Sequence, residues 1–200
     1  MALLAMCFVK GLMPLLPDQK LVILDRDGVI NFDSDEYVKS EDEWHAIPGA
    51  LEAIGRLKKG GYRVAVASNQ SGLARGYFDP YALARIHQKL QSQLLDLTGT
   101  QIDLILWCPH GPDEGCGCRK PAPGMLKQIA EELDVDLRGI WFVGDHLKDL
   151  QAAESVGAQP VLVLTGKGEQ TRTAGSLPNE TRIFPDLGAA VEALLLRNPS

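Results

Sequence analysis

Two carboxylates one residue apart, Asp25 and Asp27 in the stretch LVILDRDG, carry the first candidate chemistry of the chain. Leu21 to Leu24 are too few for a helix and branched enough for a buried parallel strand, and they run straight into the acids. The carboxyl end of such a strand opens on the crevice where α/β proteins bind ligands. In extended geometry Asp25 and Asp27 share one side, Arg26 faces the other, and Gly28 permits a turn. Acids this close repel unless something positive lies between them. A divalent cation with oxygen ligands meets that need, leaving one carboxylate to attack and the other to handle a proton. Taken alone, DxDG is equally an ordinary acidic turn.

The elements that must position these acids follow from periodicity. After Gly28 comes an acid-rich segment, VINFDSDEYVKSEDEW, with little periodicity, which reads as a loop or small flap over the strand end. PGALEAIGRLKKGG is a helix with Leu51, Ile54 and Leu57 on one face and Gly60-Gly61 as its stop. YRVAVA is a buried strand ending in SNQSG. The next helix takes Asp79 as N-cap and Pro80 behind it, with Leu83, Ile86, Leu90, Leu94 and Leu97 inward and His87 on its surface. Strand IDLILW enters the loop CPHGPDEGCGCRKP, followed by a helix with Leu126, Ile129 and Leu133 inward. Strand GIWFV delivers Gly144-Asp145. A short helix, strand PVLVLTG, a mobile loop over 165–182 and a last helix, DLGAAVEALLLR, complete the order. Strict alternation predicts an α/β fold: a doubly wound, mostly parallel, Rossmann-like sheet with helices on both faces and no large cap domain. Trp44, Trp107 and Trp141 read as core or flap packing.

Two hundred residues, 45% of them hydrophobic, suit one domain over 19–200. A formal charge of −6 argues against a sequence-independent hold on nucleic acid or an anionic membrane, so any anionic substrate must meet a local basic pocket. Residues 1–18 are apolar but interrupted by Lys10, Gly11, Pro14 and Pro17. They form neither a bilayer span nor a clear signal peptide and read as a poorly ordered extension or an upstream start. Cys108, His110, Cys116 and Cys118 have metal spacing rather than that of a disulfide framework. They supply four ligands for a closed, structural Zn²⁺ site in the loop 108–118, and with no export signal they point to a reducing cytoplasm.

The polar residues at four successive strand ends are complementary. Asp25 and Asp27, Ser68-Asn69, Arg119-Lys120 and Asp145 converge on one rim, and a phosphate monoester needs this set: a nucleophile, donors for phosphoryl oxygens, a cation and acids for Mg²⁺. The order DRDG, SNQSG, CRKP and GDHLKD resembles the haloacid dehalogenase superfamily of phosphotransferases. More finely, DRDGVIN, NQSGLARG, CPHGPDEGCGCRKPAPGM and VGDHLKDLQAA resemble the D-glycero-D-manno-heptose 1,7-bisphosphate 7-phosphatases and, less closely, the histidinol-phosphate phosphatases. The likeness covers roughly residues 20–170.

That resemblance implies a Mg²⁺-dependent phosphatase acting on a small phosphorylated sugar in lipopolysaccharide heptose precursor synthesis, as a monomer without nucleic-acid or membrane partners. Asp25 is then the nucleophile that becomes an aspartyl phosphate, and Asp27 the acid and base. Asp25, the carbonyl of Asp27 and Asp145 hold Mg²⁺. Ser68 and Lys120 complete the catalytic set. Arg26, Asp33, Tyr37, Asn69, Gln70, Ser71, Arg119 and His146 join Ser68 and Lys120 as substrate contacts, and Asp149 orients Lys120. Two points depart from the family pattern: His146 stands where a Lys is common, and the loop between His110 and Cys116 is short. Residue chemistry alone reaches a phosphomonoester and leaves histidinol phosphate open. A zinc-stabilised binding module without turnover is the non-enzymatic alternative.

Overall fold

The computed structural model describes residues 20–197, and the expectation for residues 1–18 lies outside them. Six strands form one sheet: β1 (Leu21–Leu24), β2 (Arg63–Asn69), β3 (Leu104–Cys108), β4 (Trp141–Gly144), β5 (Gln159–Val163) and β6 (Arg182–Phe184). Their spatial order is β3-β2-β1-β4-β5-β6, and every pair is parallel. This is the doubly wound order of dinucleotide-binding folds. Its topological switch, where the connections change direction, falls between β1 and β4.

The helices are α1 (Ala50–Lys59), α2 (Pro80–Thr98), α3 (Gly124–Leu133), α4 (Leu147–Ser155), α5 (Gly168–Ala174) and α6 (Leu187–Arg197). Alternate side chains of each strand feed opposite faces. Val22, Leu24, Val64 and Val66 pack with Ile54 and Leu57 of α1, Ile86 and Leu90 of α2 and Val191 and Leu194 of α6. Leu21, Ile23, Ala65 and Phe142 pack on the other face with Leu126 and Ile129 of α3 and Ala152 and Ala153 of α4. Leu21 to Leu24 are at most 2% exposed. Burying each contributes about 1.5–3 kcal/mol, which is why an unalternated apolar run ends up between two helical layers.

Asp79 caps α2 by accepting from the Ala82 amide at 2.7 Å and Pro80 occupies its first position, as the spacing predicts, and Gly99 ends the helix in the left-handed region. Three expectations need correction. Residues 165–182 do not form one loop. α5 lies inside them, held from outside because Thr171 donates to the Asp145 carbonyl at 2.8 Å, and β6 begins at their end. Leu97 is 54% exposed, since the inward stripe of α2 runs past the sheet before the helix ends, and Leu133 is only half-buried. Trp107 is not core: it lies 43% exposed on β3, an edge strand with a neighbouring strand on one side only.

Candidate active site

The chain leaves the sheet at Asp25, whose amide donates to the Val143 carbonyl at 2.8 Å and so registers the first acid against β4. It then turns tightly, with the Arg26 carbonyl accepting from the amides of Val29, Ile30 and Asn31. Gly28 sits at φ 82°, and a Cβ there would lie 2.1 Å from Asp145 Oδ2, so only glycine lets the turn press against the acid at the end of β4. Asp25, Asp27, Ser68, Asn69, Gln70, Ser71, Arg119, Asp145 and His146 surround one cavity of about 290 Å³ at the carboxyl ends of the strands, with Asp33 and Tyr37 of the 32–46 flap at its rim. The residues expected to converge do converge there.

Lys120 is buried beneath that cavity. Its ammonium donates to the Ala67 carbonyl at 2.6 Å and pairs with Asp25 Oδ1 at 2.9 Å and Asp149 Oδ1 at 2.8 Å. Burial would pull its pKa down, but the charges of Asp149 and Asp25 win and hold it above the usual value. Asn69 Oδ1 accepts from the Lys120 amide and Asn69 Nδ2 donates to the Lys120 carbonyl, both at 3.0 Å. This two-point clamp is the reason a lysine from a loop can be placed so firmly.

Carboxylate oxygens of Asp25, Asp145 and Asp149 lie within 4.8 Å of one another. One ammonium cannot neutralise three buried acids. Burial, against the pull of Lys120, raises Asp25 to about 6. Burial and then the charges of Asp149 and Asp25 push Asp145 up to about 8, although its Oδ2 accepts from the Lys167 amide at 2.8 Å. The deficit of positive charge and the all-oxygen donor set fit a divalent hard cation such as Mg²⁺.

Asp27 is in a different setting, half-buried and open to the cavity. Its Oδ1 accepts from Arg26 Nε at 3.1 Å, Arg26 Nη2 at 3.0 Å and Asn31 Nδ2 at 2.8 Å. Its Oδ2 accepts from Arg26 Nη2 at 3.0 Å and Gln70 Nε2 at 2.8 Å. Burial favours the neutral acid, but the Arg26 charge and these donors outweigh it and lower the pKa. The expected direction of Arg26 is corrected: the turn breaks strand alternation after Asp25, so Arg26 does not face away but gives its guanidinium to Asp27 and His87, while the residue still lines the cavity.

Ser68 Oγ is buried and accepts from Gln70 Nε2 at 2.8 Å. Arg119 leans on the zinc-type loop by donating to the His110 carbonyl at 3.2 Å. His146 lines the cavity and caps α4: its Nδ1 accepts from the Lys148 amide while its own amide donates to Asp149 Oδ2. At the rim Asp33 and Asp35 pair with Lys167, and Tyr37 rests on Tyr77 with ring centres 5.2 Å apart. Sequence reasoning missed Lys148 and Lys167, which line the cavity, and Asn31. It also misplaced His87, which is buried against Arg26 and Trp107. Arg75 is exposed and does not line the cavity.

The four ligands of the loop 108–118 gather into a knot. The sulfur pairs are 3.2, 3.5 and 3.6 Å apart, and His110 Nδ1 lies 3.5 Å from Cys108 Sγ and 3.3 Å from Cys118 Sγ. A tetrahedron with Zn–S near 2.3 Å and Zn–N near 2.0–2.1 Å has edges of about 3.5–3.8 Å, so the donors fit zinc with no position left open.

A family profile described as HAD-hydrolase-like matches residues 117–190. The D-glycero-beta-D-manno-heptose-1,7-bisphosphate 7-phosphatase of Pseudomonas aeruginosa is 58% identical over 178 residues, covering 88% of this chain and 98% of that one. The same enzyme of Neisseria meningitidis serogroup A is 46% identical, covering 84% and 90%. Among solved structures, the D,D-heptose 1,7-bisphosphate phosphatase of Bordetella bronchiseptica, complexed with magnesium and phosphate, superposes with a TM-score of 0.87 at 54% identity, covering 89% of this chain and 99% of that one.

Proposed function

This chain belongs to the D-glycero-beta-D-manno-heptose-1,7-bisphosphate 7-phosphatase family, and from that premise we propose that it removes the 7-phosphate of this sugar bisphosphate in the making of the lipopolysaccharide heptose precursor. The observation that carries the reading is the contrast between two acids on one cavity: Asp25 paired with a buried lysine, Asp27 half-buried and held by Arg26, Asn31 and Gln70.

An Asp25 oxygen attacks phosphorus in line, forming the aspartyl phosphate as the bond from phosphorus to the sugar oxygen breaks. The leaving oxygen takes a proton from Asp27. A water then attacks phosphorus and gives its proton to Asp27; the bond between phosphorus and the Asp25 oxygen breaks, and phosphate departs. Ser68 holds a phosphoryl oxygen, and Lys120, beneath the cavity, balances the charge of Asp25 as it attacks. Arg119, Asn69, Gln70, Ser71, His146, Asp33 and Tyr37 form the walls against which the sugar and the second phosphate lie. Asp25, the carbonyl of Asp27 and Asp145 would hold Mg²⁺, which supplies positive charge against the developing phosphoryl oxygens. Cys108, His110, Cys116 and Cys118 would hold a structural Zn²⁺ that braces the loop bearing Arg119 and Lys120.

The deciding experiment is phosphate release with Mg²⁺ from heptose 1,7-bisphosphate, histidinol phosphate and a panel of other phosphomonoesters. At least a hundredfold higher kcat/KM for the heptose bisphosphate, about 2.7 kcal/mol, is expected. A flat profile would remove the substrate and leave the chemistry. An Asp25→Asn protein that folds and keeps near-normal turnover would remove the nucleophile.

A further inference from the structure

His87 stands on α2, far in sequence from the acids, yet it reaches the turn after β1. Its Nε2 lies 3.3 Å from Arg26 Nη1, and its ring sits against Trp107 with centroids 5.4 Å apart and planes tilted by 54°. Arg26 is 1% exposed, so bulk solvent does not complete its hydrogen bonds. Its Nε and Nη2 are given to Asp27, so Nη1 needs an acceptor from the protein, and among the described residues the His87 ring nitrogen is the one hydrogen-bonded to it. Burial and the Arg26 charge hold His87 far below its ordinary range, at about 4, so the ring is neutral and can accept. The proton then sits on Nδ1.

Resting on the reading of Asp27 as the proton-transferring group, we propose that His87 is a positioning residue: by accepting from Arg26 Nη1 it fixes the guanidinium in the orientation that presents Nε and Nη2 to Asp27. A planar fork with one prong unanchored can rotate about its last side-chain bonds, and the carboxylate would rotate with it. The indole of Trp107 covers the ring from the β3 side, so the acceptor itself is held. Besides Arg26, Asp27 touches only the neutral amides of Asn31 and Gln70 among the described residues. These can hold a carboxylate but do not set its direction as a two-pronged cation does.

The test separates positioning from structure by the leaving group. Through formation of the aspartyl phosphate, an alkyl phosphate needs a proton from Asp27, whereas p-nitrophenolate leaves without one. In His87→Leu, kcat/KM with Mg²⁺ is expected to fall at least tenfold for heptose 1,7-bisphosphate and less than threefold for p-nitrophenyl phosphate. His87→Gln, which restores an acceptor oxygen, is expected to recover at least half the loss on a logarithmic scale. Equal losses on both substrates, no loss, or no recovery by glutamine overturn the proposal. Nitrogen NMR of the unaltered protein at pH 7 gives a second reading that needs no variant: Nε2 of His87 bare supports it, and Nε2 protonated refutes it. Asp27→Asn guards the premise. If that variant keeps its rate on heptose 1,7-bisphosphate, the acid-base reading fails, independently of His87.

Discussion

Replacing Lys120 by Met tests the electrostatic design of the site. The variant keeps the length and apolar stem of the side chain but removes the ammonium paired with Asp25 and Asp149, leaving Asp25, Asp145 and Asp149 with oxygens within 4.8 Å of each other and the Ala67 carbonyl without the Lys120 donor. Stripping one partner from a buried ion pair costs about 3–5 kcal/mol. The acids can escape part of that cost by taking up protons, so the loss depends on pH. Asp25 and Asp145 already lie at about 6 and about 8 in the folded chain, above the 3.8 of an ordinary aspartate. Groups raised in the folded state favour folding while protonated, and that advantage disappears as pH rises through the folded values. Loss of Lys120 raises them further. The penalty in urea unfolding, in magnesium-free buffer with zinc retained, is therefore expected to be about 3–5 kcal/mol near pH 8 and at least about 1 kcal/mol smaller near pH 5. Asp149→Asn added to Lys120→Met should recover part of the stability without recovering turnover. A Lys120→Met penalty below about 1 kcal/mol, or one equal at both pH values, would refute the account of a three-acid cluster compensated by one lysine.

Cys116→Ala should lower both the unfolding midpoint and activity and reduce bound zinc below about half an equivalent by metal analysis, because three ligands do not close the knot. Binding of Mg²⁺ at pH 7 should release close to one proton, chiefly from Asp145, whose pKa of about 8 keeps it mostly protonated before the cation arrives. Affinity should therefore rise from pH 6 to pH 8. Calorimetry in two buffers of different ionisation enthalpy measures the proton directly, and identical heats in both would count against the assignment.

Much of this was legible in the residues because several levels of the sequence agree. The unalternated run Leu21 to Leu24 could only be a strand covered on both faces, and the alternation of strands with helices left few topologies for it to join. Cys108, His110, Cys116 and Cys118 were readable from spacing alone. Arg26 was misread because period-two reasoning was carried past the strand, into a turn where the Arg26 carbonyl accepts from three amides. His87 was misread although a signal existed: it follows Leu83 by four and precedes Leu90 by three, which places it on the inward stripe of α2. Lys167 left no such signal. It precedes GEQTRTA, which has no apolar period, and α5 forms there because Thr171 reaches the Asp145 carbonyl, a contact no local pattern encodes.

The place of β1 in the sheet also has a consequence for how the protein is made. Asp25 is made long before its neighbours in the site, but β1 pairs with β4, Val22 beside Trp141, and the Asp25 amide waits for the Val143 carbonyl. During synthesis the first strand must therefore emerge with one of its edges unpaired and stay so until β4 has left the ribosome. The lysine loop and Asp145 arrive late as well. No shorter nascent chain holds the site, and a stalled product presents an apolar strand edge of the kind that chaperones hold and aggregates recruit.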